Sequence, residues 1–450
     1  MGIVGLAPLF AGARADMHPI AFHKGETITL ARWRADVEHN AQRLLARRIG
    51  RGALVCEDSY PFLVGLMALI QIDAGVILPP NDQPGTLRDL QPEFEALVTD
   101  SPAVGEASRV VIESSGVEAA TRHIEIERSR IIFFTSGSTG DIKQVPKTLA
   151  QFEREAEALE ATWGGLLSDA QVFGTVTHQH VFGMSFRLIW PILAGRAFES
   201  AFDAAWEPLL EKLTSRSVVV SSPAQLTRLG GLEPLPIDRR PAMVITAGAP
   251  LPDEAAANAA AILGCRPTEV LGSTEAGVIG WRDDVASPVS WRPFPGVEIG
   301  TGTGGVLLLR SRHAAEDGWS TQADRITLCG DGRFRLEGRV DRIVKVEGKR
   351  VSLDRMERAM IALPWIAEAT VVSLGGNQLY LGAVARLTPA GIDKVARIGK
   401  FRFERMLRRE LAYGEASAVL PRRWRFVEVM PRNEMGKRRI ADLRVLFSKA

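Results

Sequence analysis

The sequence predicts an α/β protein: a large N-terminal domain of mostly parallel sheets covered by helices, then a small C-terminal α+β domain. Three observations carry that expectation. Apolar runs through the first three-quarters of the chain each end in a loop of small residues, the mark of strands whose C-terminal ends open onto helices. Near residue 339 the pattern turns to hairpins and amphipathic helices. The charge inverts at the same place: residues 1–338 hold 31 Lys+Arg against 41 Asp+Glu, a net −10, and residues 339–450 hold 24 against 12, a net +12. At 450 residues the chain exceeds one ordinary domain. The boundary is set at Gly338–Arg342, giving domains 1–338 and 339–450.

In chain order, Ala53–Cys56 is a short apolar run, and Pro61 to Pro79 reads as a buried helix followed by a strand. Gln71 and Asp73 interrupt that stretch, and it is short for a bilayer span, so no membrane segment is expected. Arg130-Ile-Ile-Phe-Phe134 is a strand leading into a Ser/Thr/Gly loop, and a helix should follow. Thr148 with Gln151 forms its capping box, Phe152, Ala156, Leu159 and Trp163 share one face, and Gly164-Gly165 stops it. The runs Ser217–Val220, Met243–Thr246 and Thr268–Leu271 continue the alternation, which places ligands beyond the strand C-termini. After the boundary, two β-rich pieces flank Glu347-Gly-Lys-Arg350. A helix then carries Leu353, Met356, Met360 and Leu363 on one face. A hairpin, Ala369–Leu374 with Leu379–Leu387, a cationic helix near Phe401–Leu411 and a strand over Arg423–Met430 complete the small domain.

Three scattered cysteines (Cys56, Cys265, Cys329) form neither a metal knuckle nor a disulfide framework, and no secretory pattern opens the chain, so a reducing cytoplasm is the default expectation. The basic C-terminal domain calls for an anionic partner, or reads equally as a solvated surface attracted to its acidic neighbour. Its arginines are spread along helices and strands without aromatic platforms, which argues against nucleic acid.

The strongest local signal is Thr135-Ser-Gly-Ser-Thr-Gly-Asp-Ile-Lys143. Hydroxyls and glycines after a buried strand offer backbone N–H groups and short donors suited to a triphosphate. A Walker A loop is excluded, because Lys143 follows Ile142 rather than Gly. The segment resembles the phosphate-binding signature of the adenylate-forming superfamily, which holds acyl- and aryl-CoA synthetases, nonribosomal adenylation domains and firefly luciferase. Four further segments match in that family's order: Leu271-Gly-Ser-Thr-Glu-Ala-Gly277, Thr321-Gln-Ala-Asp324, Gly338-Arg-Val-Asp-Arg-Ile-Val-Lys-Val-Glu-Gly-Lys-Arg350 and Pro431-Arg-Asn-Glu-Met-Gly-Lys437. The resemblance runs from about residue 130 to the end.

The resemblance implies ATP-dependent activation of a carboxylic acid to an acyl adenylate, then transfer to the thiol of coenzyme A or of a carrier protein's phosphopantetheine. A carboxylate must approach the α-phosphate of ATP, so cations and donors are needed to offset the repulsion of two anions. By resemblance, Thr135, Ser136, Gly137, Ser138, Thr139, Gly140 and Lys143 hold the phosphates, and Gly272, Ser273 and Thr274 lie at the α-phosphate. Glu275 ligates Mg2+, a hard cation suited to oxygen ligands. Gly248 and Ala249 lie beside adenine, Asp324 takes the ribose hydroxyls and Arg339 is a second nucleotide contact. Lys437 bridges the two reacting anions, His180, rather than His178, sits near the carboxylate, and Phe182, Met184 and Phe186 line the acid pocket or belong to the core. Asp341 is the hinge about which a mobile small domain turns, bringing Gly348 and Arg350 to the thiol.

Several positions depart from the family pattern: Leu271 replaces an aromatic residue, Gln322-Ala323 interrupts Thr-Gly-Asp, and Asp141, Ile142 and Gln144 alter the phosphate loop. The short N-terminal part favours a compact stand-alone bacterial ligase acting on an aryl or medium acyl acid. The competing readings are an adenylase that takes an amino acid or stops at acyl-AMP, and a nucleotide sensor without turnover. No pocket Asp for an ammonium is evident, and retention of both Glu275 and Lys437 argues against a mere sensor.

Overall fold

The computed structural model describes residues 2–101, 108–115, 124–136, 142–203, 205–283, 290–314, 318–339, 342–346, 349–375, 379–412, 420–432, 438 and 440–448. The chain divides into two compact units. The first comprises Met1–Glu298 with Arg310–Trp319, and the second Ile299–Leu309 with Ser320–Ala450.

The first unit holds two large sheets. In a six-stranded sheet the order is Arg109–Val111, Ala96–Thr99, Arg51–Leu54, Gly75–Leu78, Ile131–Ser136, Ile142–Lys147, all parallel except the last. The helix Ser59–Gln71, mostly apolar and buried from Ser59 to Ile70, packs on this sheet. It is the buried helix expected before the strand Gly75–Leu78. No helix among the described residues is long and apolar enough to cross a membrane.

A nine-stranded sheet runs Arg292–Pro293, Gly277–Arg282, Thr268–Ser273, Met243–Ala247, Ser217–Ser221, Gln171–Gly174, Phe198–Glu199, Pro19–His23, Glu26–Thr29. Its six middle strands, from Thr268–Ser273 to Pro19–His23, are parallel, and antiparallel strands finish both edges. Valines and other apolar residues fill the central strands because both faces are covered, as parallel sheets require.

The helix expected after the Ser/Thr/Gly loop is Leu149–Trp163. The Thr148 hydroxyl accepts from the Gln151 amide and the Gln151 side chain accepts from the Thr148 amide, a complete capping box. The chain does not pass directly from loop to helix, however. It first returns as the antiparallel strand Ile142–Lys147, in register with Ile131–Ser136. Gln144-Val-Pro-Lys147 alternates exposed and buried, a period-two pattern, and Pro146 is tolerated because the strand is an edge.

The second unit reaches upstream of the expected 338–342 boundary. Its Ser320–Leu328 and Phe334–Arg339 strands form a hairpin in a four-stranded sheet, which ties residues 320–338 to this unit. Beyond lie the hairpin Ile343–Val346 with Lys349–Ser352, the helix Leu353–Ile361, and a three-stranded sheet of Ile366–Leu374, Tyr380–Leu387 and Arg423–Phe426. Met356, Met360, Phe403, Leu407 and Trp424 centre its core. A helix the sequence reading passed over, Pro389–Ile398, starts with Pro at its first turn after Thr388, whose hydroxyl caps the Gly391 amide. On the strand Ile366–Leu374, the Glu368 carboxylate gathers three guanidinium groups: Arg386 at 2.9 Å, Arg432 at 2.6 Å and Arg438 at 3.1 Å. Burial alone would lift this carboxyl, but the arginines hold it below its ordinary range.

Candidate functional site

Three parallel strands of the nine-stranded sheet deliver sequence-marked residues to one edge. Gln171–Gly174 leads to the loop containing His178 and His180, Met243–Ala247 leads to Gly248 and Ala249, and Thr268–Ser273 carries Gly272 and Ser273 into Thr274 and Glu275. Neighbouring parallel strands end side by side, so loops distant in sequence converge there. Gly248 has φ +93°, a conformation that glycine adopts without strain. The Ser273 hydroxyl accepts from the Ala276 amide at 3.0 Å, closing the turn before Gly277 reverses the chain.

The other sheet contributes Lys143. Its ammonium lies 2.7 Å from a Glu275 carboxylate oxygen, so the strand Ile142–Lys147 and the Gly-Ser-Thr-Glu turn meet. Both side chains stay about half exposed, at 58% and 46%. Partial burial would raise the Glu275 carboxyl, but Lys143, the residue's own amide and Ser273 outweigh it and leave the group below its ordinary range. Glu275 is thus an ionised, accessible carboxylate. Among the described residues no cluster of three or more His, Cys, Asp and Glu could hold a metal. A single accessible carboxylate fits Mg2+ only where phosphate oxygens and waters complete the shell, which is how that ion is bound at nucleotide sites.

Beneath the turn lies a buried polar group that sequence reasoning missed. Lys147, 2% exposed, donates to the Thr274 carbonyl at 3.2 Å and lies 5.6 Å from the Phe152 ring centroid. Burial lowers its ammonium, and Glu155 and Glu275 act to raise it. Glu155 is fully buried and its carboxyl is pushed up to about 6 by desolvation, against the pull of Lys147, Ser185 and the Val278 amide. His313, 1% exposed, places Nε2 2.7 Å from the Val278 carbonyl. A β-carbon on Gly277, whose φ is +71°, would meet His313 Cδ2 at 2.9 Å and Glu155 Oε2 at 3.0 Å. A signal for Glu155 existed: it interrupts the apolar face made by Phe152, Ala156 and Leu159. For Lys147 its place directly before the helix cap Thr148 concealed its strand position.

Comparison with known proteins adds to this geometry. Residues 83–300 match the family model described as AMP-binding enzyme. A 4-coumarate–CoA ligase of Rhodobacter capsulatus is 30% identical over 302 residues, which cover 62% of this chain and 73% of that protein. The chain belongs to the AMP-binding, adenylate-forming enzyme family. A second 4-coumarate–CoA ligase, from Cereibacter sphaeroides, is 26% identical over 312 residues, 69% of this chain and 70% of the relative. The fold agrees as well: ATP-bound MatB from Rhodopseudomonas palustris superposes with a TM-score of 0.80 at 20% identity, covering 98% of this chain and 99% of that one. The activity expected from the sequence, activation of an acid as its adenylate followed by thiol transfer, is the one the ligase relatives point to.

In this AMP-binding enzyme the remaining marked residues are distributed as follows. His178 is fully buried, hydrogen-bonded to Ser59 Oγ at 2.9 Å and to the Cys56 carbonyl at 3.1 Å, and burial drives its pKa well down, so it holds the fold together. His180 instead starts a short helix, partly exposed. Met184 and Phe186 are core residues, while Phe182 is half-buried with its ring centroid 4.8 Å from that of Phe186 in a tilted contact. Leu271 sits on the strand Thr268–Ser273 opposite Gly280. In the second unit, Asp324 and Arg339 face one another across the hairpin register. The Arg339 amide donates to Asp354 at 2.9 Å. Gly137, Ser138, Thr139, Gly140, Asp341, Gly348 and Lys437 lie outside the described residues, as do the side chains of Thr135, Ser136 and Arg350.

Proposed function

We propose that this chain couples ATP to an aryl carboxylic acid, forming the aryl-acyl adenylate with release of pyrophosphate, and then transfers the acyl group to coenzyme A. The observation that carries the reading is the 2.7 Å approach of Lys143 to Glu275. A cation from an edge strand of one sheet and a carboxylate from a turn of the other sit together, which suits a nucleotide's polyphosphate that needs a countercharge and a metal ligand. The aryl preference rests on the two 4-coumarate–CoA ligases among the relatives.

The residues divide the work by charge. Lys143 and the segment Thr135–Gly140 bind the β- and γ-phosphates, and Thr274 with Gly272 and Ser273 borders the α-phosphate. Glu275 would hold Mg2+, which would supply charge neutralisation for the polyphosphate. The substrate carboxylate enters beside His180, and Lys437 lowers the repulsion as the carboxylate oxygen attacks phosphorus and pyrophosphate leaves. Asp324 takes the ribose hydroxyls, and Arg339 is a second nucleotide contact. After pyrophosphate departs, rotation about Asp341 withdraws Lys437 and presents Gly348 and Arg350 to the incoming thiol.

The test is pyrophosphate exchange with cinnamates, benzoates and medium-chain acids, followed by thioester formation with coenzyme A or with a phosphopantetheinylated carrier protein. Acid-dependent exchange with aryl acids and thioester with coenzyme A are expected. Absence of exchange with every acid would sink the function, and exchange without thioester would restrict it to an adenylase.

A further inference from the structure

Lys147 serves no role in the chemistry described so far, yet it is a buried cation beneath the turn that carries Thr274 and Glu275. Burying an ammonium is costly unless it is paired and hydrogen-bonded. Here the compensation has a direction. The ammonium reaches upward to the carbonyl of Thr274 at 3.2 Å and has the buried carboxyl of Glu155 as its opposite charge. That carbonyl belongs to the peptide joining Thr274 to Glu275. A trans peptide is planar, with C=O and N–H on opposite sides. Fixing the Thr274 oxygen toward Lys147 therefore turns the Glu275 N–H the opposite way, and that N–H is hydrogen-bonded to the residue's own carboxylate, the one that meets Lys143.

We propose that Lys147, with the buried Glu155 as its countercharge, is the positioning residue that locks the Thr274–Glu275 peptide, so that amide and carboxylate together face the magnesium-bound polyphosphate. The inference rests on the nucleotide reading of the turn. It also accounts for Gly277: the two side chains flanking its Cα, His313 and Glu155, leave no room for a β-carbon. The same polar layer is thus pressed against the turn from below. Rotation of the peptide would point a carbonyl, not an amide, at the phosphates and would swing Glu275 with it.

The experiment compares the wild-type protein with Lys147→Met, of similar length and apolar, and Glu155→Gln, which keeps the amine but removes its countercharge. Hydrogen exchange on the nucleotide-free protein is read first. Amides of residues 272–280 should exchange faster in Lys147→Met while the second unit is unchanged. In acid-dependent pyrophosphate exchange, the Mg2+ concentration for half-maximal rate should rise about tenfold, the scale of losing a partner that orients a metal ligand. Thiol transfer from supplied acyl adenylate, which needs no polyphosphate, should hold within about twofold. Glu155→Gln should shift magnesium dependence in the same direction by less, and it stands in if Lys147→Met does not fold. Unchanged exchange at 272–280 with unchanged magnesium dependence, or an equal fall in both half-reactions, overturns the proposal. Wild-type protein without acid-dependent exchange would instead remove the underlying functional reading.

Discussion

His313 makes the first unit acid-sensitive through one buried imidazole, and the size of the effect follows from its surroundings. Burial pushes its pKa down to about 4, with the Val278 carbonyl pulling up and Lys147 pushing further down. In the unfolded chain the group titrates near 6.5. The unfolded state therefore binds more protons between these values, and stability is lost as pH falls from about 6.5 to about 4, by about 3 kcal/mol in all. By pH 5 about 2 kcal/mol of that is gone. Glu155 works the other way. Its carboxyl, raised to about 6, binds a proton more readily in the folded state, so acidification from about 6 to about 4.5 returns stability, about 1 kcal/mol of it by pH 5. His313→Gln keeps a donor for the Val278 carbonyl and removes the titration. Urea unfolding at pH 7.5 and pH 5.0, followed by tryptophan fluorescence, reads the difference. Trp163, 5.6 Å from Trp281 and 6.0 Å from Trp190, reports on this unit. The stability lost between the two pH values should shrink by about 2 kcal/mol in the variant. An identical loss in both proteins would refute the assignment of His313 as the buried neutral base.

Gly277→Ala combines a left-handed backbone with contacts under 3.1 Å, so a loss of about 1–3 kcal/mol in unfolding free energy is expected, measured by urea midpoint. Lys437→Ala should lower acid-dependent pyrophosphate exchange by about two to three orders of magnitude, while thioester formation from supplied acyl adenylate stays near wild type. Parallel decline of both steps would refute the two-state role of that lysine. Asp341→Pro should show the opposite bias, with exchange retained and thioester formation lost, and equal rates would remove Asp341 as the hinge.

The architecture was legible because the strands that matter are short, apolar and bounded by small residues: Ser217–Ser221, Met243–Ala247 and Thr268–Ser273 lie where their patterns put them. The capping box fixed the start of Leu149–Trp163 from two residues, since that geometry is local. The strand Ile142–Lys147 was not legible, because its pattern covers only four residues and contains Pro146, a residue read as a breaker. The same problem hid Lys147. A lysine next to a helix start looks solvated, and only the pairing of Ile131 with Lys147 turns it inward under another sheet's turn. His180 and His178 were separable in sequence only by motif position. In the fold, Ser59, Phe62 and the Cys56 carbonyl claim His178 for the interior. Positive charge beyond residue 339 was visible as a sum, but part of it is internal: Arg342 pairs with Asp354 and Glu357, and Glu368 absorbs three arginines.

That shared carboxylate has a consequence for the tail. Arg432 and Arg438 stand 64 and 70 residues from Glu368 in sequence, on either side of the stretch that contains Lys437, and both donate to the same carboxylate oxygen, Oε2. The exit and the return of that stretch are therefore pinned to one rung of a central strand. A change at Glu368 would leave three guanidinium groups repelling one another and would remove the Glu368 bond of Arg432, while Arg438 would keep its bonds to the Ala369 carbonyl and the Thr370 hydroxyl, so the two anchors would not be lost together.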